Sequence, residues 1–151
     1  MSRTPPGAFL AALAQAAAEG FAPVALLALL KHPLVDPDGD RLAWLVDVRA
    51  LDKALRGPRP GPGLDGIARR VRHPHDPRWL DGDERDRLPG WWAGVAALLA
   101  PLAAAMRDEA PFRTLLAALV EVAEGLGREA LWAGPAGQAA SALIDDLSRH
   151  A

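Results

Sequence analysis

Three observations predict an all-α fold for this chain. Half of its residues are hydrophobic, yet only 5% are aromatic and tyrosine is absent. Alanine and leucine supply most of the apolar content, and valine and isoleucine are sparse. Helices favour Ala, Leu, Arg and Glu, whereas strands favour β-branched and aromatic residues, so this composition argues against a β-sandwich or barrel. Finally, the apolar residues recur at helical spacing between breaks marked by proline and glycine. A length of 151 residues is that of one ordinary domain. The expectation is one helical domain over 1–151, with six or seven helices, a Gly/Pro connector and a polar loop.

The elements follow in order. Thr4 is placed to cap a first helix whose opening turn holds Pro5 and Pro6. Phe9, Leu10, Leu13, Ala16 and Ala17 form its apolar stripe, and Gly20 ends it. Pro23 starts a short second helix to Leu30, apolar nearly all round, as a central buried helix would be. Pro33 disfavours helical geometry at His32 and stops it. His32 then sits at the negative end of the helix dipole, where a protonated imidazole is favoured.

Asp36 to Asp40 is a turn cluster whose last carboxylate can cap a third helix, Arg41 to Leu55. Its mostly apolar face runs through Leu42, Leu45, Val48, Leu51, Asp52 and Leu55. Residues 57–63, Gly-Pro-Arg-Pro-Gly-Pro-Gly, form neither helix nor central strand and make a stiff extended connector between the 1–56 helices and the rest. Leu64 to Val71 gives a short helix. Residues 73–90 are the most polar stretch, punctuated by Pro74, Pro77, Gly82, Pro89 and Gly90, and read as a long surface loop with one helical turn near Asp83–Leu88. The C-terminal helices fill 91–151. Trp91 and Trp92 open a helix that Pro101 should kink or divide. Pro111 starts another, and Gly134-Pro135 introduces the last.

Charge and composition narrow the function classes. Seventeen Lys+Arg against nineteen Asp+Glu leave a net charge of −2, which gives no global pull toward nucleic acid or membrane. With no cysteine, thiol catalysis, disulfides and Cys-ligated zinc or iron–sulfur clusters are removed together. The N-terminus lacks a charged-then-apolar leader pattern, and the apolar runs, broken by Gly or Pro, fall short of the roughly 20 residues of a membrane span. The expectation is a soluble cytoplasmic protein without membrane contact.

Few residues suggest chemistry. His73, His75 and Asp76 are the one close set of ligand-type side chains, but a metal site needs three or four converging ligands, and solvated loop histidines explain the pattern more simply. Asp81, Asp83, Glu84 and Asp86 alternate with Arg85 and Arg87, as a solvated charge run does. No P-loop, HExxH, GxGxxG after a strand or GxSxG elbow is present, and no catalytic, cofactor or metal residue is nominated. Lys31 and Lys53 are the only lysines, so arginine carries the positive charge, and it is densest at Arg56, Arg59, Arg69, Arg70 and Arg72, with Arg78 and Trp79 close behind. Guanidinium forks on phosphates and an indole for base stacking suit single-stranded nucleic acid. The same arginines also suit the plain role of solubilising a helix and a loop. Trp44, Trp91, Trp92 and Trp132 each adjoin an apolar helical run and read as packing residues.

Three stretches together resemble a known family. They are Thr4 to Leu10 continued by Ala17 to Leu34, with its Gly20-Phe21-Ala22-Pro23 and Lys31-His32-Pro33-Leu34; Arg56 to Gly66; and Leu131 to Gly137. In this order and spacing they resemble an internal segment of AddB in its alphaproteobacterial form, the subunit that pairs with AddA in bacterial double-strand-break-repair helicase–nucleases. The likeness spans nearly the whole chain except residues 73–90. It implies a non-catalytic helical accessory domain, similar to those inserted in superfamily 1 helicases, which shapes a DNA path and contacts the AddA-type subunit and the rest of the AddB-like chain. It carries no catalytic residue to any position here. An interaction module without DNA contact is the alternative.

Overall fold

The computed structural model describes residues 5–150, so the Thr4 cap lies outside the described residues. Seven α-helices are present: α1 Pro5–Ala18, α2 Pro23–Leu30, α3 Arg41–Ala54, α4 Gly63–Arg72, α5 Gly82–Arg107, α6 Phe112–Gly127 and α7 Gly134–Arg149. Two 3₁₀ turns, Pro77–Trp79 and Arg128–Trp132, complete the order, and no strand occurs among the described residues. The all-α expectation holds.

The sequence explains most of the boundaries. α1 ends in a Schellman arrangement: the Phe21 amide donates to the Ala16 carbonyl (2.7 Å) and the Gly20 amide to that of Ala17 (3.1 Å), satisfying carbonyls that the helix end would otherwise leave open. Asp40 caps α3 by accepting from the Ala43 amide at 3.1 Å. α2 departs from its expected central position. Leu26, Leu29 and Leu30 are fully buried, but Val24 is 85% exposed, because α2 packs on α1 and α3 and leaves its other side outward. On α3, the inward set is Trp44, Val48, Ala50, Leu51 and Ala54; Leu42, expected on the apolar face, is 80% exposed.

The largest difference concerns residues 73–90. The loop ends at Asp81, and residues 82–90 are the first turns of α5, which runs on through Pro89 and Pro101 undivided. Its start is a capping box. The Asp81 carboxylate accepts from the Glu84 amide at 2.8 Å, and Glu84 Oε1 accepts from the Asp81 amide at 2.9 Å, so two open donors are satisfied reciprocally. Lys53 Nζ joins Glu84 Oε1 at 2.7 Å, and Arg87 grips Asp47 with two donors at 2.8 and 3.0 Å. Both contacts clasp the start of α5 to α3. The helix survives its prolines because Leu88, Trp92, Val95, Leu99 and Leu102 recur on one buried face, and burying five such side chains outweighs the roughly 3 kcal/mol that an interior proline costs.

α5 is thus the central element, packed against α3, α4 and α6. By length and composition it is the one helix among the described residues that could cross a membrane, although part of it is buried inside the protein. One core cluster joins Phe9, Leu13, Leu26, Leu51, Ile67, Trp92, Leu99 and Leu126 with their neighbours. The indoles are satisfied where they are buried: Trp44 Nε1 donates to the Leu30 carbonyl at 2.9 Å, and Trp92 Nε1 to that of Leu64 at 3.3 Å. Trp91 is half-buried beside Trp44, with ring centroids 5.2 Å apart.

Candidate nucleic-acid interface

The arginines singled out by density lie on α4 and on the connector that precedes it. The connector is fixed on both sides. A side chain at Gly66 of α4 would collide with the Gly61 backbone carbonyl, so the absence of a Cβ lets connector and helix touch directly. On the other side, Gly57 has φ +99°, and the His75 ring lies 2.9 Å from where its Cβ would stand. A conformation open to glycine and a contact only glycine permits coincide there.

Arg70 closes this arrangement. Its Nη1 donates to the carbonyls of Arg56 (3.2 Å) and Leu55 (3.4 Å), and its Nη2 to that of Pro58. The guanidinium latches the connector to α4, which removes Arg70 from the set available to a ligand. Arg69 lies over the connector, 3.1 Å from the Cβ position of Gly61. Arg56, Arg59, Arg69 and Arg72 are exposed and form none of the ion pairs or side-chain hydrogen bonds found among the described residues. Two carboxylates stand near them. Asp65 is in the first turn of α4, and Glu19 lines the same shallow cleft as Arg59.

The loop after α4 carries the aromatic part. Asp76 caps the 3₁₀ turn by accepting from the Arg78 amide at 3.0 Å, and also takes the Arg78 guanidinium at 2.9 and 3.0 Å. This pairing holds the Asp76 carboxyl below the usual carboxylate range. Arg85 of α5 donates to the Leu80 carbonyl at 2.6 Å and to that of Pro77 at 2.9 Å. The turn is therefore anchored at both ends. It presents the half-buried Trp79 beside His75, with ring centroids 6.0 Å apart and planes tilted by 47°. His75, read from the sequence as a solvated loop residue, is an exposed loop residue whose ring also lies against Trp79 and Gly57. The signal was present as a histidine four residues before a tryptophan, but only the intervening 3₁₀ turn brings the rings together.

Among the described residues no three His, Asp or Glu side chains gather as a metal would require. Compared with protein-family models, curated proteins and solved structures, the chain matches none of them.

His32 also differs from its expected state. Its Nδ1 accepts from the Leu34 amide at 3.1 Å, a role only the neutral ring can fill. Burial, and then the charge of Arg41, push its pKa below the ordinary 6.5. The cation at the end of α2 is Arg41 instead, donating to the carbonyls of Lys31 (3.0 Å), His32 (3.1 Å) and Val35 (2.6 Å).

Proposed function

We propose that this chain is a non-catalytic helical accessory domain of an AddB-type subunit, contributing scaffold and a path for single-stranded DNA. The observation that carries the DNA contact is the set of four exposed guanidinium groups, Arg56, Arg59, Arg69 and Arg72, that form no ion pair or side-chain hydrogen bond among the described residues, borne at and on a fixed connector and on the helix it is latched to. A rigid backbone removes the cost of ordering the connector on binding, which leaves only the rotamer freedom of each arginine side chain to be lost at a phosphate. Trp79 and His75 offer a ring surface for an unstacked base close to that row in sequence. The partners under this reading are an AddA-type subunit and the rest of the AddB-like chain.

The test is a titration of labelled single-stranded oligonucleotide at rising salt. Neutralising three or four phosphates gives a slope of log K against log salt of about −2 to −3, and binding should weaken in Arg69→Ala and Arg72→Ala. Absence of binding at low salt overturns the DNA contact.

One observation favours a second reading, an interaction module without DNA contact. Leu42 and Val46, one turn apart on one side of α3, are 80% and 50% exposed and so stand next to each other on the helix surface, where adjoining apolar side chains suit a protein contact. Binding to a purified AddA-type subunit that Leu42→Ser abolishes, with no affinity for DNA, would select it.

A further inference from the structure

The chain leaves α6 through a turn that folds back on the helix. Arg128 takes φ +55°, and the 3₁₀ turn it opens returns Trp132 to the side of α6, where Trp132 Nε1 donates to Glu124 Oε2 at 3.3 Å. The Trp132 backbone is held as well, because a side chain at Gly137 of α7 would collide with the Trp132 carbonyl. An indole fixed at ring and backbone thus forms one wall of a cleft of about 440 Å³, lined also by Glu124, Arg128, Glu129 and Ala133. Trp132 is half-buried and both glutamates are exposed. Neither glutamate pairs with a cation among the described residues. Arg128 does not neutralise them: its Nη1 lies 2.9 Å from the Cβ position of Gly39, in the turn before α3.

From this arrangement we propose that the cleft binds an arginine side chain of a partner protein, its guanidinium on the Trp132 ring and within reach of both carboxylates. A cation over an indole face is drawn by the negative face of the ring. A planar guanidinium stacks on that face and also donates its fork to carboxylates, which a compact ammonium does less well. Because the hydrogen bond to Glu124 sets the ring before anything binds, the ring need not be ordered on binding. The surroundings fit a basic segment. Glu124 also lines the adjoining groove between α6 and α7, together with Glu121 and Asp145. The cations of that groove are already engaged: Arg113 interacts within the chain, and Arg149 lies 3.7 Å from Asp146. The cleft includes none of the arginines proposed to meet DNA, so the two readings stand or fall separately.

Titration of the full chain with acetylated, amidated tri-arginine, followed through the indole N–H signals in nitrogen-15 NMR spectra, tests the proposal. The Trp132 signal, assigned by its loss in Trp132→Phe, should shift saturably with a dissociation constant on the order of 1 mM. Glu124→Gln and Glu129→Gln should each weaken binding by about two- to fivefold. Glu124→Gln keeps an oxygen to accept the indole N–H, so the ring stays set while the charge is lost. Backbone signals away from the cleft should keep their positions in both variants, which confirms folding. Tri-lysine should bind more weakly than tri-arginine, and tri-glutamate should leave the Trp132 signal in place. A Trp132 signal that does not move at about 10 mM tri-arginine overturns the proposal. Binding unchanged by both substitutions, or tri-lysine as tight as tri-arginine, overturns it equally.

Discussion

Arg41 Nη1 lies 3.1 Å from the His32 carbonyl and 2.6 Å from that of Val35, while Nη2 reaches Lys31 at 3.0 Å. One side chain in the first turn of α3 thus satisfies three carbonyls just past the end of α2. It also supplies the positive charge that a helix C-terminus favours.

That geometry sets a pH dependence. Burial, and after it the charge of Arg41, lower the His32 pKa, so over the interval below 6.5 the unfolded chain binds more protons there than the folded one. Stability contributed by neutral His32 is complete above about 6.5 and declines as pH falls through that value toward the lower folded one. Urea midpoints measured between pH 7 and 5 should fall with acidity, and His32→Asn, which keeps an acceptor for the Leu34 amide, should flatten the trend. Glu84, held low chiefly by its hydrogen bond from Lys53, acts separately. Its contribution is present above the ordinary 4.5 and lost as pH falls further.

The close approach of Gly66 to Gly61 predicts a sharp substitution effect. Gly66→Ala would ordinarily favour a helix by nearly 1 kcal/mol, but here the new methyl meets a backbone carbonyl. The expected net result is destabilisation of about 1–3 kcal/mol, read as a lower denaturation midpoint with an unchanged slope. Gly94, with open space around it in α5, should gain stability from the same change.

The arginines of α4 should separate by role. Arg70→Ala frees three carbonyls, those of Leu55, Arg56 and Pro58, at the end of α3 and the start of the connector, and should cost about 1–3 kcal/mol of stability. Arg69→Ala and Arg72→Ala touch no such bond and should leave stability within about 0.5 kcal/mol. Thermal or urea unfolding of the three variants checks the division.

The helices were legible in the sequence wherever one local signal decided them. Proline at the start of α1 and α2, Asp40 before α3 and the Gly/Pro run before α4 each mark a boundary that the structure keeps. The start of α5 was hidden because its signals compete. Gly82, Pro89 and Gly90 argue for a loop, and they are overridden by the Asp81–Glu84 capping box and by a buried face whose depth appears only once α3 and α4 are in place. At the candidate site the arginine density was visible, but its division was not. Arg69 and Arg70 are adjacent and chemically identical, and only the path of the connector assigns one to solvent and the other to backbone carbonyls. Leu42 and Trp44 differ likewise, since periodicity identifies a face without saying which face meets the core.

The most direct test of the account is the affinity of the chain for single-stranded DNA as a function of salt, compared between wild type and the Arg56→Ala, Arg59→Ala, Arg69→Ala and Arg72→Ala variants. If the unpaired guanidinium groups meet phosphates, log K should fall with log salt at a slope of about −2 to −3, and each substitution should reduce that slope by about 0.7. Binding that is absent at low salt, or whose slope is the same in all four variants as in wild type, would contradict it.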